Sequence, residues 1–131
     1  MAQYDLRVDE SKHYISCMVE GVLSAKDLKV LALALYEFRQ VSGIDLICID
    51  LRKASITADA FENYRFVNNE LTQISRPGSA KSAVLVRNDD AVTKFLDTMM
   101  KNASYKVQSF TDETLALNWL LAGVTVPEAA V

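Results

Sequence analysis

The run Ile44-Asp45-Leu46-Ile47-Cys48-Ile49-Asp50-Leu51 constrains this chain more than any other stretch. It is too apolar to be a strand with one wet face, so it reads as a strand buried on both sides. Such strands belong mainly to parallel sheets, whose crossovers lay helices on the faces. Four times along the chain a short β-branched apolar run is followed by a segment with helical periodicity. That alternation predicts an α/β fold.

The remaining elements fit this frame. Residues 4–8 and 13–20 alternate as strands, with the polar turn Asp9-Glu10-Ser11-Lys12 between them, which predicts an antiparallel hairpin. In the second strand Tyr14, Ser16 and Met18 share one side, and Ile15, Cys17 and Val19 the other. Ser24, with Asp27 three residues on, starts a helix that reaches about Val41 on a stripe of Leu28, Leu31, Leu35 and Phe38. Gly43 suits its left-handed stop. After the buried strand, residues 52–57 read as a polar loop. Thr57 then caps a helix over residues 58–74, with Phe61, Tyr64, Val67, Leu71 and Ile74 inward.

Arg76-Pro77-Gly78-Ser79 is a break. Residues 82–87 form the next buried strand, and Asn88-Asp89-Asp90 opens a helix with Val92, Phe95, Leu96, Met99 and Met100 inward. Residues 104–110 are the last strand. Thr111 or Asp112 caps the last helix, whose inward residues are Leu115, Ala116, Trp119 and Leu120. The expected fold is a mixed five-stranded sheet: an N-terminal antiparallel hairpin, then parallel strands joined by right-handed crossovers, with about four helices. It occupies a single domain over residues 1–123, and residues 124–131 form a loose tail.

At 131 residues the chain can bury roughly two-thirds of its unfolded surface without a disulfide or metal staple. A net charge of −3 argues against a nucleic-acid partner, whose footprint is a basic stripe. The longest apolar run, residues 30–36, is far short of a membrane span. No Arg/Lys-led apolar signal opens the chain, and Cys17 and Cys48 both sit inside predicted strands. A reduced, cytoplasmic protein is expected.

Catalytic signals are sparse. The one histidine, His13, stands at a turn, and no serine or cysteine motif links to it. Gly21, Gly43, Gly78 and Gly123 are too far apart for a phosphate loop or a dinucleotide fingerprint, and no Cys/His cluster has zinc spacing. No cofactor is implied. Ligands of open α/β sheets gather beyond the carboxyl ends of the strands. The rim expected there holds Asp50, Arg52, Lys53, Ser55, Thr57, Asp59 and Arg87, with Arg65 on the exposed side of the helix that follows. Phe61, Phe95, Met99 and Met100 could border a soft apolar pocket.

Three stretches resemble the SpoIIAA-like superfamily, which includes the STAS domains of anti-sigma-factor antagonists. Val19-Glu20-Gly21-Val22-Leu23-Ser24-Ala25-Lys26-Asp27-Leu28 matches its strand ending in Gly and its Leu-Ser/Thr-x-x-Asp helix start. Ile47-Cys48-Ile49-Asp50-Leu51 matches its central apolar-Asp-Leu strand. Val107-Gln108-Ser109-Phe110, followed by Glu113 and Ala116-Leu117-Asn118-Trp119-Leu120, matches its closing pattern. The resemblance implies a SpoIIAA-like sheet and a regulatory, protein-binding role. Where antagonists of this type carry an Asp-Ser pair with a phosphorylated serine, this chain has Ala58-Asp59, so the usual phosphoswitch is in doubt.

The first reading is therefore a non-catalytic regulatory or protein-interaction module with a protein partner. It works through the loop after Asp50 and the exposed side of the following helix. An alternative is a carrier or sensor of a small apolar ligand, because some stand-alone relatives resemble CRAL-TRIO-type lipid-binding folds. An enzyme would need an acid–base site preorganised at the Asp50 and Arg87 strand ends. The apolar first helix and the edge hairpin lead us to expect a homodimer.

Overall fold

The computed structural model describes residues 2–123. Strands β1 (Gln3–Asp9) and β2 (Tyr14–Leu23) form the expected antiparallel hairpin. Its turn is held by Asp9 Oδ1, which accepts from Ser11 Oγ at 2.7 Å and from the Lys12 backbone N–H at 3.0 Å. Helix α1 (Ala25–Ser42) starts on a reciprocal cap: Asp27 N–H donates to Ser24 Oγ, and Ser24 N–H donates to the Asp27 carboxylate. Gly43 ends the helix at φ 72°, a conformation that costs a residue with a Cβ.

Strand β3 (Leu46–Ile56) lies parallel between β2 and β4 (Lys81–Leu85), and β5 (Lys106–Phe110) closes the sheet in the order β1-β2-β3-β4-β5. The β1–β2 pair is antiparallel and the rest are parallel. Helix α4 (Ala91–Asn102), capped by Asp90, makes the crossover from β4 to β5, and helix α5 (Glu113–Leu120), capped by Asp112, follows β5. No described helix is long and apolar enough to cross a membrane. The expected tail, residues 124–131, lies outside the described residues.

Strand β3 does not end at Leu51. It continues through the stretch expected to be a polar loop. The reason is a bulge. Met18 pairs with Asp50, but Glu20 pairs with Lys53, so β3 carries one extra residue there. An extra residue reverses the side-chain alternation. Ile47, Ile49 and Leu51 face one way before the bulge, and Ala54 and Ile56 join the same core after it.

The helix after β3 also differs in phase. Helix α2 (Ala60–Arg65) runs into a π-helical turn (Phe66–Leu71) and then α3 (Thr72–Ile74). A π turn takes one more residue than an α turn, so the buried set is Asn63, Phe66, Val67 and Leu71. Phe61 and Tyr64, expected inward, point to solvent, and Ile74 is only half-buried. On α4 the buried stripe is Thr93, Leu96 and Asp97, with Met100 half-buried. It is rotated from the expected one, and Val92 and Phe95 are exposed. On α5, Ala116 and Leu120 are buried as expected, but Leu115 is exposed.

The sheet divides two cores. One face packs Ile15, Cys17, Val19, Val84 and Val107 against α1, the α2–α3 segment and α4. The other packs Cys48, Ala83 and Leu85 against Ala116 and Leu120 of α5. Cys17 and Cys48 belong to opposite cores and are free thiols.

Candidate functional site

The rim residues do assemble in part, and what they do locally is hold the bulge in β3. Asp50 Oδ1 accepts the backbone N–H of Arg52 at 3.0 Å, the bond the bulge would otherwise lose. The Arg52 guanidinium reaches back to the same carboxylate, Nε to Oδ1 at 3.0 Å and Nη2 to Oδ2 at 2.8 Å. Burial pushes the Asp50 carboxyl up, but the Arg52 hydrogen bonds and charge outweigh it and hold the group below the usual carboxylate range.

Arg87 completes the brace. The β3–β4 ladder stops at Asp50 and Leu85, which leaves β3 carbonyls beyond it without a strand partner. Arg87 Nη1 donates to Arg52 O at 3.1 Å and to Ala54 O at 2.7 Å, standing in for the missing strand. Its other nitrogens lie 3.4 Å from Asp89 and 3.9 Å from Asp90.

The other rim residues disperse. Lys53 Nζ sits 3.9 Å from Glu20. Ser55 is exposed on the strand. Thr57 caps no helix: its N–H and Oγ1 both donate to Leu23 O, at 2.8 and 3.2 Å. Asp59 is the true cap of α2. It exchanges bonds with Glu62, whose N–H donates to Asp59 Oδ1 at 2.8 Å while Asp59 N–H donates to Glu62 Oε1 at 3.0 Å. This occupies the Glu62 carboxylate, and Arg65 stays exposed on the outer side of α2.

The apolar pocket exists, but not where the aromatic residues suggested. A cavity of about 150 Å³ lies between the sheet and the three helical segments of its larger core. Its walls include Leu31 and Leu35 of α1, Phe66 and Leu71 of the π turn, and Leu96 and Met100 of α4. Of the four expected residues only Met100 borders it. Phe61 and Phe95 face solvent, and Met99 packs half-buried beside the core.

Polar groups stand at both ends of the cavity. At the amino ends of the strands, buried Arg39 donates to Asp45 Oδ1, Ser75 Oγ and Ser79 O, each at 3.0 Å. Tyr105 Oη donates to Ser75 O at 2.9 Å beside it. Toward the carboxyl ends, Thr93 and Asp97 of α4 and Ser109 of β5 border the space. Thr93 Oγ1 is bonded to Asp90 at 2.7 Å. Asp97 Oδ1 and Ser109 Oγ are buried and have no hydrogen-bond partner among the described residues. The sequence held a sign of this: Thr93, Leu96, Asp97 and Met100 recur at helical spacing, with a carboxylate in the stripe.

Among the described residues no group of three or more His, Cys, Asp or Glu side chains could hold a metal ion. Burial pushes the thiols up, Cys17 to about 12 and Cys48 to about 11, so neither is a nucleophile near neutral pH.

With this geometry in hand, two solved structures are informative. The chain is similar to an uncharacterised protein of the DUF3478 family with a SpoIIAA-like fold from Shewanella loihica PV-4. The two share 14% identity over 91% of this chain and 93% of that one, with a TM-score of 0.58. It is also similar to the anti-sigma factor antagonist SpoIIAA in its unphosphorylated form, at 12% identity over 86% of this chain and 94% of that one, with a TM-score of 0.50. The fold is SpoIIAA-like. No protein-family model matches the chain, and no curated protein matches it.

Proposed function

We propose that this chain is a non-catalytic, cytoplasmic protein-interaction module of regulatory type. Its working surface is the outer side of α2 with the neighbouring side of α4. One observation carries the reading. Phe61 and Tyr64, a turn apart on α2, are 69% and 58% exposed, and Val92 and Phe95 of the contacting α4 are 40% and 50% exposed. Large side chains left outside at this spacing support an interaction surface there. The fold shared with an anti-sigma factor antagonist supports a protein partner. Asp59 supplies a fixed negative charge at the start of α2, so the module acts without a phosphorylated serine at that point. The pairing of Asp50 with Arg52, and of Arg87 with β3 carbonyls, speaks against acid–base work at the rim.

The test is affinity capture with the purified chain and with a Phe61→Ser/Tyr64→Ser double variant. The expected result is a partner retained by the wild type and lost by the variant at unchanged melting temperature. Identical captured proteins would refute the surface, and an Asp59→Arg/Arg65→Glu variant probes its charged margin in the same way. We further propose a homodimer built on the outer side of α1, where Val30, Leu33 and Val41 are exposed. A single monomer species in sedimentation at micromolar concentration would refute it.

A second reading, carriage or sensing of a small apolar ligand, rests on the cavity bordered by Leu31, Leu96 and Met100. Its volume equals that of engineered apolar cavities that take up benzene.

A further inference from the structure

We propose that the cavity selects a compact, uncharged alcohol or phenol, held by its hydroxyl between Asp97 and Ser109. The proposal rests on the second reading above and specifies its ligand class. Three observations lead to it.

The first is size. About 150 Å³ admits one aromatic ring or a short branched chain, and the walls are almost wholly apolar. The second is the pair of unpartnered polar atoms. Asp97 is 9% exposed, and among the described residues its Oδ1 accepts nothing and Ser109 Oγ is likewise without a partner. They stand on α4 and β5, which pack together, and both residues border the same cavity. Buried polar groups are nearly always satisfied, so two left unpartnered on residues that border one cavity call for a ligand that completes them once their side chains turn toward it. A hydroxyl supplies what they lack, since it donates one hydrogen, to Asp97 Oδ1, and its lone pairs accept one, from Ser109 Oγ.

The third observation decides between a neutral and a cationic head group. Asp97 Oδ2 already lies 3.4 Å from Lys101 Nζ. The carboxylate is therefore neutralised on its outer side. An ammonium ligand would bring an unmatched charge into an apolar space, which costs more than a neutral donor does. At the opposite end the Arg39 guanidinium is committed to Asp45, Ser75 and Ser79, which leaves little to hold a carboxylate ligand.

The test uses three probes of nearly equal size, toluene, phenol and benzylamine, titrated into the full chain and followed by the methyl and amide resonances of the lining residues. Phenol is expected to bind saturably and about tenfold more tightly than toluene, from completing a buried hydrogen bond. Benzylamine, charged at neutral pH, is expected to be weakest. In Ser109→Ala the preference for phenol should shrink, and in Asp97→Leu it should vanish while toluene binding persists. If Asp97→Leu does not fold, the wild-type ratio and Ser109→Ala still decide. Equal binding of phenol and toluene would overturn the hydroxyl assignment, with water satisfying the polar wall, but leave the apolar-ligand reading standing. Tightest binding of benzylamine would overturn the neutral head group. No localised response to any probe would overturn the ligand reading itself.

Discussion

The two faces of the sheet are packed by different means. Under α5 the contact is close: Ala83 of β4 and Ala116 of α5 are both fully buried, and their small side chains let the helix sit down on the strand. Leu120 fills what remains, and Lys81 fastens the far end, donating to Trp119 O at 2.6 Å with its ammonium 4.5 Å from the indole centroid. Under α1, the π turn and α4 the side chains are larger, yet about 150 Å³ stays open among them. The difference teaches that large side chains do not by themselves fill a face, whereas small ones at the contact let a helix pack closely. One helix packs against its face, whereas α1, the α2–α3 segment and α4 meet over the other.

Matched leucine truncations should show the largest contrast. Leu120→Ala removes a side chain from a filled site and is expected to cost about 4 kcal/mol. Leu35→Ala borders space that is already open, so fewer contacts are lost, and about 2 kcal/mol is expected. Urea unfolding of both variants measures the difference. Equal costs would mean that the two faces are equally well packed and that the open volume closes in solution.

The reverse change should give a smaller contrast. Ala116→Leu forces three carbons into a fully buried position and is expected to destabilise by about 2 kcal/mol. Ala32→Leu adds the same atoms on α1, where the side chain borders the cavity, and both residue types are good helix formers. Its expected effect is within about 0.5 kcal/mol of zero. Melting temperatures of the pair check this, and a loss from Ala32→Leu as large as that from Ala116→Leu would break the comparison. The same variant should also displace phenol, which ties the packing difference to the ligand site.

The sheet and most caps could be read from residues one at a time. Ser24 with Asp27, Gly43, and the apolar run through Ile47 and Ile49 each act locally, so their pattern carries to the fold. What escaped the reading were single-residue insertions into regular repeats. The bulge at Asp50 turned a strand into an apparent loop, and the π turn at Phe66 moved Phe61 and Tyr64 from inside to outside. Neither insertion has a sequence signature of its own, because each is set by pairing or packing with distant elements. The candidate site suffered in the same way. Aromatics and methionines pointed to a pocket, but the groups bordering it include a carboxylate and a serine that the reading did not single out.

The smallest expected effect concerns the bulged part of β3, on the α5 side of the sheet. There the structure relies on charge, through Asp50 bracing the bulge, whereas the centre of that face relies on apolar contact. Because the folded-state pKa of Asp50 lies below its unfolded value, its contribution is present above the ordinary carboxylate range and is lost as pH falls through the folded value. Asp50→Asn keeps the shape but weakens the bonds to Arg52, and about 1 kcal/mol should be lost at pH 7. At a pH below the folded value the variant and the wild type should converge, since both then carry an uncharged side chain. Denaturant unfolding at pH 7 and at pH 3 reads the gap, which should narrow toward acid. A gap that stays constant would show that the brace depends on shape, and that the carboxylate charge adds nothing to it.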